Sequence, residues 1–405
     1  MNVAFIGHSE DWAGAETSLV SLLSGLDPVA HAPLVTLPAE GAFADRLHAL
    51  GVPTAYVATV PWLDQRGAGI VDRFATDLAW RVDALCARLE AADSHVVMSN
   101  SAVVLEGALA AKKLGLPHIW RIHEMPSRHD NFEHALPLSL YPAWVSGLSD
   151  RVAVVSRAAG RELADVPDAV RVVVPNGVSP ATQRGATERP ERPTVVFCGT
   201  LSEAKGAPLL APVIEAVRRS VPEVRCEVVG RDVGAGGPLR REIQRRGLGA
   251  HFRFTGFVED ARARIARADV LLHPSRVDSL PCVVMEAMAE GVAVVATRSG
   301  GAEELVLDGS SGFLTEVDDV EAMAESLVLL LTSEARRRQM GDAGQRRACS
   351  EYSLSTMVSR MTSLFDGLGP RSPVDATPLV DAFCAAAGPT ATPASHEALR
   401  TLLAR

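Results

Sequence analysis

The 405-residue sequence contains no run of about 20 uncharged apolar residues, so no membrane-spanning helix is expected. Its first residues, Met1 to Trp12, have no basic stretch followed by a long apolar one and turn acidic at Glu10 and Asp11, so a secretory leader is not expected and the assignment defaults to the cytoplasm. Cysteine is sparse. Cys86, Cys198, Cys226, Cys282, Cys349 and Cys384 form no C-x-x-C pair and show no ligand spacing with histidine, which argues against a zinc site and reads as buried free thiols in a reducing compartment. There is no basic excess: Lys+Arg number 40 against 49 Asp+Glu, a net charge of -9, so bulk electrostatics give no reason to expect nucleic-acid binding. Also absent are the G-x-x-x-x-G-K-[ST] phosphate loop and the G-x-S-x-G elbow. Gly230 and Gly234 follow a strand, but their spacing is not the G-x-G-x-x-G of a nicotinamide site. No D-x-D at a strand end offers to hold a divalent ion, so no metal or other cofactor is expected.

What is present is an ordinary globular mix, 47% hydrophobic and 22% charged, in which short apolar runs alternate with longer helical stretches. Strands are expected at Val3–Ile6, Leu34–Leu37, His95–Met98, His118–Ile122, Val152–Val155 and Val172–Val174. Helices are expected at Ala15–Leu26, Arg73–Ala91 and Ala102–Leu114. The strands are apolar on both faces, as in a parallel sheet covered by helices on both sides. Residues 179–193 are polar and Pro-rich and read as a linker. A second alternation follows, with strands at Thr194–Cys198, Val224–Val229, Phe252–Thr255, Val270–His273 and Val292–Ala296 and helices at Ala207–Arg219, Leu239–Gly247 and Cys282–Glu290. The expected fold class is α/β, with two doubly wound domains, 1–178 and 194–350, facing each other across a cleft. A helix over 351–368 is expected to cross back to the first domain. The Pro/Ala-rich tail, 369–405, ends in a short amphipathic helix.

The segment from His273 to Val306 carries the strongest chemistry. A strand ends near His273, a loop with Pro274, Ser275 and Asp278 follows, and Pro281 suits the first turn of a helix capped by Asp278 or Ser279. Free amides near Leu280, Pro281, Cys282 and Val283 make an anion site suited to a diphosphate, aimed into the cleft. Glu286, about one turn inside, can accept both hydroxyls of a ribose. Alternatively Asp278 caps the helix and Glu286 is a surface acid that compensates the dipole. A second stretch, Val195–Gly206, reads as a strand, a glycine turn at Gly199-Thr200, and Lys205 as a point charge for phosphate. In the first domain Gly14-Ala15-Glu16 opens a helix, His123 follows a strand at its carboxyl end, and Asn176-Gly177-Val178 closes the domain. Arg240, Arg241, Arg245 and Arg246 form a basic helix face, solvated or available to a membrane surface or acceptor.

These blocks resemble family 4 of the GT-B-fold glycosyltransferases, the group 1 glycosyl transferases. The match to that family's E-x7-E block comprises Pro274-Ser275, an acid at 278, Glu286-Ala287-Met288-Ala289, Gly291, Gly300-Gly301 and Glu304. Two positions depart from it. Asp278 is one methylene shorter than the usual Glu, and Thr200 stands where an Arg is common, with Arg276 or Arg298 able to compensate.

The resemblance spans about residues 1 to 350. It implies a retaining, metal-independent transferase that moves a sugar from a nucleotide diphosphate, UDP or GDP, to a small-molecule or glycan acceptor in antibiotic or cell-envelope biosynthesis. On that reading His123, Asp278 and Lys205 are catalytic. Gly14, Gly199, Thr200, Lys205, Leu280, Pro281, Cys282, Val283 and Glu286 bind the donor. Rival readings are a glycosidase using Asp278 and Glu286, and a nucleotide-sugar-binding protein without turnover. The expected partners are the donor and the acceptor, with no nucleic acid and at most peripheral membrane contact.

Overall fold

The computed structural model describes residues 1–64, 74, 76–128, 133–134, 138–181 and 191–369. Most of the expected linker over 179–193, and the tail with its terminal helix, lie outside them. The chain divides into two compact units: Met1–Pro175 together with the chain from Met357 on, and Asn176–Thr356.

The first unit is built on a seven-stranded sheet of β1 (Asn2–Ile6), β2 (Ala32–Leu37), β3 (Thr54–Tyr56), β4 (Val96–Ser99), β5 (His118–Ile122), β6 (Arg151–Val154) and β7 (Arg171–Val173). All neighbours pair parallel, in the order β3-β2-β1-β4-β5-β6-β7. Val3, Ala4, Phe5 and Ile6 of β1 are all buried, so both faces of that strand are covered. The helices are α1 (Gly14–Gly25), α2 (Ala42–Ala49), α3 (Leu78–Ala91), α4 (Glu106–Leu114), α5 (Tyr141–Leu148) and α6 (Arg157–Arg161).

The helix α4 starts later than the sequence suggests, and the helix expected over Arg73–Ala91, already helical at Phe74, is interrupted before Leu78. Asp77, at φ 55°, sits in the left-handed region and separates α3 from the residues before it. Before α4, side chains hold the backbone out of the helix. Ala102 N–H donates to Glu124 Oε2 (2.9 Å), Trp62 Nε1 donates to the Ala102 carbonyl (2.7 Å) and Trp120 Nε1 to the Ser101 carbonyl (2.6 Å).

The helices α3 and α4 are joined by a buried ion pair, Arg81 Nε to Glu106 Oε1 at 2.9 Å, and the same oxygen accepts from Val60 N–H at 2.9 Å. Arg81→Ala strands the Glu106 carboxylate without its counter-ion. The variant should lose about 3–5 kcal/mol, read as a lowered denaturant midpoint.

The second unit repeats the plan with β8 (Thr194–Cys198), β9 (Arg225–Val229), β10 (Phe252–Gly256), β11 (Val270–His273), β12 (Ala293–Thr297) and β13 (Phe313–Thr315), again all parallel, in the order β10-β9-β8-β11-β12-β13. Its helices are α7 (Leu210–Arg218), α8 (Gly236–Arg245), α9 (Ala261–Arg267), α10 (Cys282–Ala289), α11 (Ala302–Leu305), α12 (Val320–Thr332) and α13 (Glu334–Glu351). Apolar side chains of β8, β9, β11 and β12 form its core with those of α7, α8, α12 and α13.

The last described helix, α14 (Leu354–Asp366), belongs from Met357 onward to the first unit. Phe365 meets Phe5 edge-on with centroids 6.0 Å apart, and Asp366 Oδ1 lies 2.9 Å from His31 Nε2.

In each sheet the strand order reverses about a central pair, β1/β4 in the first unit and β8/β11 in the second. Loops leaving the carboxyl ends of such a pair diverge to opposite sides and leave a crevice for a ligand. In the second unit those two loops are Gly199–Gly206 and Pro274–Pro281.

Candidate functional site

The two loops of the second unit are stitched together through their backbones. Arg276 N–H and Ser275 Oγ both donate to the Ala204 carbonyl, at 2.8 and 3.0 Å. Gly206 has φ +70°, and a Cβ there would stand 1.9 Å from the Pro274 carbonyl oxygen, so only glycine permits this approach. Asp278 is fixed from the other side, its N–H donating to Ser299 O (3.0 Å) and its carbonyl accepting from Gly301 N–H (2.8 Å). Gly301 has no room for a side chain either, since its Cβ would fall 1.9 Å from Ser279 O.

This frame brings Lys205 Nζ to 2.5 Å from Asp278 Oδ2, with His273 Nε2 3.4 Å from the same oxygen. Burial alone would raise the Asp278 pKa. The Lys205 ammonium and His273 outweigh it and hold the carboxyl well below its ordinary range, so Asp278 is an anion. Lys205 keeps about a third of its side-chain surface in solvent. An ammonium has three donor positions, so one can hold Asp278 while others reach a phosphate.

The helix α10 begins at this loop. Its N-cap position is Pro281, and no side chain caps it, so neither Asp278 nor Ser279 plays the capping role expected for one of them. Asp278 is instead committed to Lys205. Val284 and Met285 N–H donate to the Pro281 carbonyl (3.1 and 3.3 Å), which leaves the amides of Cys282 and Val283 without an intrahelical acceptor. Leu280 and Pro281 are buried, whereas Cys282 and Val283 are partly exposed. The Cys282 thiol is pushed up to about 12, chiefly by burial, and accepts from Asn176 Nδ2 at 3.6 Å.

Glu286 lies beyond the first turn of α10. It is mostly covered and forms no hydrogen bond or ion pair with any described residue. Burial raises its pKa to about 7, against the pull of Arg262. A partly covered carboxylate that no described side chain bonds can accept a donor pair such as vicinal hydroxyls.

Gly199 follows β8 at φ +153°, and Thr200 is exposed beside it. Both arginines named as able to compensate for the missing one are held by acids in this structure. Arg276 is engaged by Asp318 and Glu203, both at 2.9 Å, and Arg298 by Asp308 (3.1 Å) and Glu316 (3.2 Å). Loop acids on either side claim both guanidinium groups. The basic face of α8 is similarly engaged in part: Arg245 and Arg246 pair with Glu242, Arg246 also with Glu215, and Arg240 lies 3.7 Å above the Phe254 ring.

In the first unit Gly14 is exposed at the start of α1, and two residues on Glu16 is buried 3.3 Å from His8 Nδ1. Burial raises the Glu16 carboxyl above its ordinary range. His123 follows β5. Its Nε2 lies 3.3 Å from Asn100 Oδ1, and its N–H donates to Glu124 Oε2 (3.1 Å). Burial first, then the Arg121 and His8 charges, lower the His123 pKa well below its ordinary value, so the imidazole is neutral at pH 7.

Sequence reasoning gave no role to His8, Asn100, Glu124 or His273. Each is polar and closes or follows an apolar strand at its carboxyl end, and that position was the available signal.

Two doubly wound sheets of this strand order, with glycine-bounded loops at their reversal points, are the GT-B fold. The family model "Glycosyltransferase Family 4" matches residues 12–182, and "Glycosyl transferases group 1" matches residues 180–347. The chain belongs to glycosyltransferase family 4.

A GDP-mannose-dependent alpha-(1-6)-phosphatidylinositol monomannoside mannosyltransferase of Mycolicibacterium smegmatis is 36% identical over 190 residues, 44% of this chain and 48% of the relative. A phosphatidyl-myo-inositol mannosyltransferase of Mycobacterium leprae is 30% identical over 250 residues, 59% of this chain and 65% of the relative. The chain thus spans about half to two thirds of the length of these relatives. Among solved structures, Anabaena HepE in complex with UDP and glucose superposes with a TM-score of 0.77 at 22% identity, over 91% of this chain and all of that one. No helix among the described residues is long and apolar enough to cross a membrane.

Proposed function

We propose that this chain is a retaining glycosyltransferase that moves a sugar from a nucleoside diphosphate to an acceptor hydroxyl without a metal ion. The observation that carries this reading is the arrangement at the β8/β11 reversal. There an ammonium locked on Asp278 stands on the loop facing the one that leads to the open amides of α10, and Glu286 waits unpartnered one turn further on.

Each group has a place in the reaction. The bond from the anomeric carbon to the phosphate oxygen breaks and negative charge grows on the leaving diphosphate. Lys205 and the Cys282 and Val283 amides stabilise that charge, in ground already organised for it. Glu286 accepts both ribose hydroxyls. Asp278 takes a hydroxyl of the sugar, and neutral His123 takes another. The acceptor oxygen attacks on the face the phosphate leaves, and its proton passes to the departing phosphate. The relatives are named for mannosyl transfer to phosphatidylinositol species and one of them for GDP-mannose, which favours a GDP-sugar donor and a headgroup or glycan acceptor.

A thermal-shift panel of UDP-, GDP-, ADP- and TDP-sugars tests the donor. A true donor at 100 times its dissociation constant raises stability by about 2.7 kcal/mol. A product with the anomeric configuration of the donor supports retention. Stabilisation by none of the panel, or an inverted product, would overturn the reading. Binding without transfer to any acceptor would favour a non-catalytic protein.

A further inference from the structure

The first unit holds a cavity of about 480 Å³ away from the residues discussed so far, at the same carboxyl edge of the sheet as His123. Its walls include Ser127 and Arg128 from the turn after β5, Tyr141 at the start of α5, and Arg161 and Glu162 at the end of α6. Tyr141 is 2% exposed, and its buried hydroxyl has no hydrogen-bond partner among the described residues. An orphaned hydroxyl of this kind is costly to keep unless something fills the role of partner. Glu162 is turned toward Ser127, one oxygen accepting from its N–H at 3.0 Å and the other from its Oγ at 2.6 Å, and its single negative charge leaves the two arginines in excess. Arg128 and Arg161 are exposed, and neither pairs with a described carboxylate. Among the described residues, two guanidinium groups without a carboxylate partner and a buried hydroxyl without one line this cavity, with Glu162 as the one described acid. That donor set suits a tetrahedral, multiply charged anion.

We propose that this cavity is a subsite for a phosphate group carried by the acceptor, held by Arg128, Arg161 and the Tyr141 hydroxyl. The inference rests on the transferase reading, because it assigns the cavity to the acceptor. It adds the chemical class of that acceptor: a phosphorylated polyol or a phospholipid headgroup. Within the first unit Glu124 ties the cavity to His123: it accepts from the His123 N–H at 3.1 Å, and its charge acts on Tyr141.

The test measures binding of glycerol 3-phosphate to the full chain by calorimetry, with flotation on phosphatidylcholine vesicles with and without phosphatidic acid as a second arm. The variant R128Q/R161Q should weaken the phosphate ligand about a hundredfold, as the loss of two charge-assisted contacts predicts. Tyr141→Phe should weaken it about tenfold while holding or raising Tm, because the substitution removes an unsatisfied group. A merely structural tyrosine would lower Tm and leave affinity unchanged. Lys205→Ala should leave glycerol 3-phosphate binding within about twofold, which separates this site from the donor diphosphate site. Arginine-dependent binding of the soluble ester assigns a water-borne acceptor, and arginine-dependent binding of vesicles alone assigns a lipid. Should both probes bind R128Q/R161Q as they bind the parent, or neither bind the parent, the subsite is refuted. Arg161→Gln alone serves if the double variant fails to fold. Were the sugar nucleotides not to bind while the arginine dependence persisted, the transferase reading would fall and the phosphate site would stand.

Discussion

Lys205→Ala should lower kcat/KM by roughly 10² to 10³, the scale on which one preorganised charge at a developing anion acts. The variant also has a structural cost, because Asp278 is mostly buried and depends on the 2.5 Å contact with Nζ to remain ionised. Removing one member of such a pair costs more than removing both. The two effects separate in a double variant. Lys205→Met with Asp278→Asn should recover most of the stability lost by Lys205→Ala, since no anion is then stranded, yet it should remain as inactive. Recovery of turnover along with stability would show that Lys205 serves only to satisfy Asp278. Conversely, a single variant with unchanged kcat/KM would remove the lysine from the chemistry.

The second large effect is expected at Glu286. Accepting two ribose hydroxyls with an ionised carboxylate is worth about 3 kcal/mol, so Glu286→Ala should raise the donor Kd on the order of a hundredfold. The pH dependence follows from the carboxyl's pKa of about 7 in the folded chain against an ordinary 4.5. Folding favours the protonated form. The stability Glu286 contributes is full below about pH 4.5 and is lost as pH rises through about 7, at a slope of at most ~1.4 kcal/mol per pH unit. Donor binding requires the ionised form and runs the other way, tightening as pH rises to about 7 and levelling above it. Glu286→Gln should therefore flatten the stability profile between pH 4.5 and 7 while abolishing the pH dependence of donor affinity. A variant that binds donor as tightly as the parent at pH 8 would remove Glu286 from the nucleoside site.

Much of this site was legible because its parts are local. His118–Ile122, Thr194–Cys198 and Val270–His273 are short apolar runs with clear ends, and their limits in the structure are those expected. Residues such as Lys205, Asp278 and Glu286 stand out by spacing from such ends. What stayed hidden depends on tertiary partners. The delayed start of α4 is set by Glu124, Trp62 and Trp120, each distant in sequence. The three-residue strands β3 and β13 are too short to show a period of two, and each pairs with only one neighbour at the margin of its sheet. The expected caps at Asp278 and Ser279 failed because a lysine 73 residues away captured the aspartate. Arg276 and Arg298, free on paper, are claimed by loop acids that no local pattern connects to them.

The return of α14 to the first unit has a consequence for biogenesis. The Asn176–Thr356 unit is one unbroken stretch, while the other needs Phe365 beneath Phe5 and Asp366 beside His31 to complete its packing. On the ribosome, the half synthesised second can therefore finish folding before the half synthesised first. A stop codon near residue 350 would injure the amino-terminal half while leaving the polypeptide next to the break largely whole.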